Sequence, residues 1–388
     1  ADAEPAGQFN LVFNGALMNI QALPVAKLLP RVVLLLTVAV ALLGGLGSGL
    51  ARLGWPMDAL SRDWLMLHGP LMISGFLGTL ICLERAVALA ARYRWSMVVP
   101  AINALGAALL LTVGDAQWVR FVLVLGSLGL VLLFVQMVRL HPSRDVMIMA
   151  AGASAWLIGN VFWFSLRPVY DVVHLWSAFL ILTVVGERLE LSRVRRLTPR
   201  SQTLLTLFVG VYLGGVALTP FVLDAGVRVL GVGAILLSGW LLHYDIARRT
   251  IRQSGLPRYI AACLLLGYVW LGFGGLVALW NGAIYAGPDY AVVLHAFLLG
   301  FIFSMIFGHA PIILPALTGL QFRYTPLLYG HLLVLHITLS YRTFGSLTRN
   351  FDAQKDGGLW NVLSILLFLG VVIFTLVRSN RRNAQALV

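Results

Sequence analysis

Residues 290–317 read YAVVLHAFLLGFIFSMIFGHAPIILPAL, 28 positions with two histidines and no Asp, Glu, Lys or Arg. At about 1.5 Å per residue, a helix of this length crosses a hydrocarbon core roughly 30 Å thick. A helix is also the element that satisfies its own backbone in lipid. Comparable apolar runs recur along the whole chain. Of 388 residues, 60% are hydrophobic and 11% charged, against about 25% charged in an ordinary soluble domain. Strand-period alternation is absent, which argues against a β-barrel. The reading is an all-α, polytopic membrane protein.

Working outward from 290–317, spans are placed near 30–54, 64–90, 96–114, 118–140, 145–166, 168–188, 202–222, 226–247, 259–282, 290–316, 325–346 and 359–378. Trp55-Pro56, His141-Pro142, Arg167-Pro168 and Gly287-Pro288 fall between spans, where helices break. The expected organisation is an N-terminal interfacial segment at 1–29, a twelve-helix domain at 30–378 and a tail at 379–388. Twelve spans put both termini on one side. That side collects 18 of the 28 Lys and Arg and the other 8, with Arg85 and Arg188 near the inner ends of spans. Basic residues concentrate on the cytoplasmic side, so both termini are expected in the cytoplasm and the protein in a bacterial inner membrane. The net charge of +13 thus reflects loops that orient the chain and gives no reason to expect a nucleic-acid partner. Cys82 and Cys263 both lie in apolar runs, which disfavours disulfide and Cys-based metal frameworks. No phosphate loop, nucleophile elbow or HExxH helix is present.

Six of the eight histidines fall inside spans, where ionisable groups are costly and mark functional candidates. His68, His174 and His295 each sit about five residues into spans 2, 6 and 10, which run the same way across the membrane. They recur 106 and 121 residues apart, so every fourth helix carries one at matched depth. This periodicity suggests a pseudo-threefold arrangement of four-helix units. Imidazole is a ligand that suits iron and copper, so the three are candidate metal ligands. Met72 and Gly75, on the face below His68, would leave room there for a macrocycle. His309, with His331 or His336, is a candidate second, inner site. Interhelical packing and polar contact is the competing account of those three. Glu84-Arg85 and Glu187-Arg188 near the inner boundary read as interfacial ion pairs or snorkelling arginines, with a proton- or quinol-handling carboxylate as the sharper alternative.

The run His68-Gly69-Pro70-Leu71-Met72 resembles the HGxxM motif in span 2 of haem–copper oxidase catalytic subunits. That resemblance implies twelve spans in three four-helix units, haem ligation by His68 and His295, and His174 at a copper-ligand position. The chain departs from that family at His295-Ala296-Phe297, which lacks a second histidine, and in span 7, which has none. More closely, His68 with Gly75-Phe76, His295, and Gly308-His309 resemble the pattern of the NnrS family of haem proteins linked to nitric oxide. This resemblance implies one or two b-type haems, copper as a candidate further metal, and an oxidoreductase or ligand-binding role toward nitric oxide or a related gas. The implied partners are membrane lipid, a quinol or redox partner protein, and a small gaseous ligand. Two other readings stay open: a quinol-linked cytochrome with haems at His295 and His309, and a cofactor-free, proton-coupled secondary transporter.

Overall fold

The computed structural model describes residues 12–13, 16–17, 25–57, 62–192 and 197–385. Most of the N-terminal segment expected along the interface lies outside the described residues. Within it, Val12–Phe13 pairs antiparallel with Ala16–Leu17.

Twelve long helices follow: α1 (Val25–Arg52), α2 (His68–Leu89), α3 (Arg94–Thr112), α4 (Gln117–Leu140), α5 (Arg144–Phe164), α6 (Val169–Leu191), α7 (Pro199–Leu218), α8 (Leu223–Tyr244), α9 (Leu256–Asn281), α10 (Pro288–Thr318), α11 (Leu328–Leu347) and α12 (Phe351–Gln385). Eleven are long and apolar enough to cross a membrane; α11 is less apolar because it carries His331, His336 and Arg342. The protein is an all-α, multi-pass membrane protein.

Local chemistry sets the helix ends. Pro199, Pro257 and Pro288 stand in the first turns of α7, α9 and α10, where a missing N–H costs nothing. Gly319 closes α10 in the left-handed conformation, its N–H donating to the Pro315 carbonyl. The last helix begins at Phe351 rather than near 359. The Asn350 side chain caps it by accepting from the Ala353 N–H at 3.0 Å. It also runs on to Gln385, so the tail expected from 379 is helical through 385. No Gly or Pro interrupts that stretch, and basic residues suit a helix C-terminus.

Helices α2, α6 and α10 occupy the centre. In their most apolar stretches 67, 83 and 72% of residues are buried, against 33–56% in the other eight apolar spans. Helix α10 packs on both α2 and α6, and Arg85 of α2 pairs with Glu187 of α6. Helix α1 touches both α10 and α12. Trp156 of α5 stacks on Phe179 of α6 at 4.7 Å, lies over Gly78 of α2 and donates to Ser74 Oγ at 3.1 Å. The peripheral helices turn residues such as Leu36, Leu207, Val269 and Ile373 outward, as lipid contact requires.

Two of the three central helices are irregular. Eight residues of α2 (Leu71–Gly78) and eight of α10 (Ala296–Phe303) are π-helical, a wide turn that is rare and frequent at functional sites. The Asn103 amide of α3 donates to the Ser74 carbonyl inside the first of these segments at 2.7 Å.

Candidate functional site: a histidine pair between two π-helical spans

The two π-helical segments lie just inward of His68 and His295, and the fold brings these two rings together. Their centroids are 6.2 Å apart and their planes 18° from parallel. His68 Nδ1 donates to the Gly45 carbonyl of α1 at 2.7 Å. His295 Nδ1 donates to the carbonyl of Ala291, one turn earlier, also at 2.7 Å. A carbonyl only accepts, so both rings carry their proton on Nδ1. Each Nε2 is left as a lone pair, which no hydrogen bond reaches among the described residues. This orientation, N–H to a backbone carbonyl and lone pair outward, is that of metal-binding imidazoles. At this separation, with near-parallel planes, both rings are within reach of one bound group.

Glycines of α1 seat the His68 ring. A Cβ on Gly49 would meet its Nδ1 at 2.8 Å and Cε1 at 2.9 Å, and one on Gly45 would meet the Met72 sulfur at 2.7 Å. Eight residues inward of each histidine, Phe76 and Phe303 meet at 6.0 Å and floor the site. A narrow cleft abuts His295, lined also by Ala291, Val292, Leu339, Arg342, Thr343 and Ser346.

The face carrying Met72 and Gly75 does not open onto free space, as the sequence reading expected. Ala41 of α1 and Ala107 of α3 approach Gly75 so closely that an added Cβ would meet them at 3.3 and 3.4 Å. Gly75 is a helix-packing position because the π-helical turn beyond His68 changes which face the residues present.

His174 is buried on α6, and among the described residues its ring makes no hydrogen bond and touches neither His68 nor His295. No group of three or more His, Cys, Asp or Glu able to hold one metal is found among the described residues. The structure thus pairs two of the three expected rings. Unlike α2 and α10, α6 is a regular α-helix throughout.

The inner histidines divide. Both nitrogens of His336 are engaged: Trp270 Nε1–H donates to Nδ1 at 2.9 Å, and Nε2 meets Ser304 Oγ at 3.3 Å. His331 Nε2 bonds the Tyr259 hydroxyl at 3.0 Å, with Phe307 and Phe368 against its ring. Interhelical polar contact accounts for His336, whereas His331 Nδ1 is buried without a partner among the described residues. The Tyr259 hydroxyl also meets the Phe307 carbonyl, which Pro311 leaves without its helical donor. His309 donates from Nδ1 to the Met305 carbonyl at 2.9 Å, and its Nε2 is buried without a partner among the described residues.

The Glu-Arg pairs are buried crosslinks and do not snorkel. Arg85 pairs with Glu187 and lies 3.6 Å from Glu84. Arg188 grips Asp245 at 2.9 and 3.3 Å, and Asp245 caps the turn Ala247–Thr250 by accepting from the Ala247 N–H. Asp245 is fully buried. His141, between α4 and α5, is exposed.

Sequence reasoning overlooked Arg342 as a site residue. It counted there only as one of the cations on the less basic side. Its position within an apolar span, between two helices of the bundle, was the available signal.

The fold and the paired imidazoles define a class: a multi-pass helical membrane protein with two half-buried histidine rings brought together between two central spans. Within it, the chain belongs to the family described as a domain of unknown function, DUF8744, whose model matches residues 31–377. No curated protein and no solved structure matches the chain.

Proposed function

We propose that the protein binds a haem through His68 and His295 and is an NnrS-like membrane oxidoreductase or sensor of nitric oxide or a related small ligand. The observation that carries this reading is the pair itself: two near-parallel neutral imidazoles from distant helices, each held by a backbone carbonyl, 6.2 Å apart in a membrane interior. An unpaired polar group there has a high cost, and metal ligation recovers it. A haem held by His68 and His295 would supply one-electron chemistry and an iron able to bind a diatomic gas. The chain's own part is to fix both tautomers, floor the site with Phe76 and Phe303, and keep water out. The cleft beside His295 has no room for even a water-sized sphere, so seating a macrocycle there requires flanking side chains to move apart. His174, with no protein partner among the described residues, is the candidate for a further metal such as copper. The less basic end, where His68 and His295 lie, faces the periplasm on this reading, and both termini face the cytoplasm of a bacterial inner membrane.

The test is an absorption spectrum of the purified protein, oxidised and dithionite-reduced. A low-spin bis-histidine haem is expected, lost in His68→Ala and in His295→Ala. Wild-type haem content in both variants would defeat the assignment.

A second reading, a proton-coupled transporter, draws on the buried Nε2 of His309, whose ring feels the charges of Glu84, Arg188 and Asp245. A purified protein without colour that acidifies vesicles under a solute gradient would favour it.

A further inference from the structure

Arg342 lines the cleft between α10 and α11 together with His295, Thr343 and Ser346. Among the described residues its guanidinium makes no ion pair and no hydrogen bond. Gly357 of α12 packs against its backbone: a Cβ there would meet Arg342 Cβ at 2.6 Å, so α12 closes over this stretch of α11. Asp289, which opens α10, is bonded to Arg349 at 2.7 and 3.1 Å and is already committed. The charge of Arg342, joined by that of Arg52, reaches both His68 and His295. Thr343 and Ser346 are buried, and neither hydroxyl makes a hydrogen bond among the described residues. Arg342 is half-buried and has no protein counter-charge among the described residues, and the two hydroxyls that line the cleft with it are donors open to a ligand. One negatively charged acceptor in the cleft would satisfy all three side chains, because a guanidinium and hydroxyls are donors suited to a carboxylate.

We propose that Arg342, Thr343 and Ser346 form a binding site for a carboxylate-type oxyanion beside His295. Two sources share that chemistry: the carboxylates of a macrocycle held by the histidine pair, or a free small oxyanion. The first source rests on the haem reading and the second does not.

Full-length protein in nanodiscs is titrated with sodium formate. Separately, after haem extraction, it is reloaded with protohaem or with protohaem dimethyl ester, which lacks free carboxylates. If the macrocycle fills the site, wild type retains protohaem about tenfold better than the ester; Arg342→Gln abolishes that preference and Arg342→Lys keeps it. If a free oxyanion fills it, formate binds wild type and Arg342→Lys, and binding falls about tenfold in Arg342→Gln. Because Arg342→Gln could fail to fold, the near-isosteric double variant Thr343→Val/Ser346→Ala repeats both measurements and should weaken whichever binding is seen. Protein that takes up no haem yet binds formate through Arg342 would keep the anion site and remove the haem reading. Equal retention of the two porphyrins with Arg342-independent formate binding overturns the proposal.

Discussion

Gly49 is the position where the smallest change should have the most selective effect. Its missing Cβ leaves the space in which the His68 ring lies. An alanine methyl would stand 2.8 Å from Nδ1 and 2.9 Å from Cε1. Ordinary contact begins near 3.4 Å, so the ring must retreat by roughly half an ångström, a clash of the kind that costs about 1–3 kcal/mol in a packed interior. The retreat strains the 2.7 Å bond to Gly45, a bond worth about 0.5–1.5 kcal/mol. It also alters the 6.2 Å separation from His295. Perturbing the group that orients a metal-bound histidine lowers metal affinity about 10–100-fold. The helix itself gains, because Ala replaces Gly in a helix interior with about 1 kcal/mol of propensity. Gly49→Ala should therefore express and fold normally and lose haem about 10–100-fold more readily, measured by haem transfer to an acceptor apoprotein. Gly210→Ala is the matched control, since a Cβ there meets nothing within 4 Å, and haem retention should not change. Equal retention in wild type, Gly49→Ala and Gly210→Ala would refute the reasoning.

Removing one partner of the buried Arg188–Asp245 pair strands the other charge. Asp245→Ala should destabilise the protein by about 3–5 kcal/mol in a reversible unfolding assay, and Arg188→Met/Asp245→Leu should recover most of the loss. His336→Phe, read by the same assay, should cost about 1–3 kcal/mol because it leaves the Trp270 N–H unpaired, while the haem spectrum stays as in wild type; a lost band would show that His336 ligates after all. His309→Ala should likewise leave the spectrum intact, and loss of half the haem would instead support a second haem on α10. Asn103→Ala removes the donor to the Ser74 carbonyl inside the π-helical segment; hydrogen exchange across Leu71–Gly78 should rise with little change in α6.

Much of the architecture was legible because lipid leaves few options. The run at 290–317 became α10, and ten other apolar spans and the less apolar α11 appeared near where apolar length and Pro or Gly punctuation put them. The errors came from local chemistry that a hydropathy count does not weigh. Asn350 starts α12 a full two turns early by capping it. Of the site, His68 and His295 could be nominated from depth and direction alone. Gly75 was misassigned because a regular 3.6-residue period was assumed through a stretch that is π-helical. The Glu-Arg pairs were taken for surface features because their partners, each on the other's helix or after α8, are distant in the sequence.

Composition and the spacing of apolar runs alone determined that the chain is a bundle of membrane helices, since an apolar stretch of that length without Asp, Glu, Lys or Arg or strand-period alternation satisfies its backbone in lipid as a helix. They also nominated His68 and His295, each about five residues into its span and ahead of the π-helical turns, because a regular rise relates position in a span to depth. Which histidines meet was decided only by the tertiary structure. Rotation about a helix axis depends on π-helical turns and on neighbours such as Gly45 and Gly49, and neither is written in the period of α2 or α10. The same holds for Arg342, whose lack of a counter-charge becomes visible only once α10, α11 and α12 close around it.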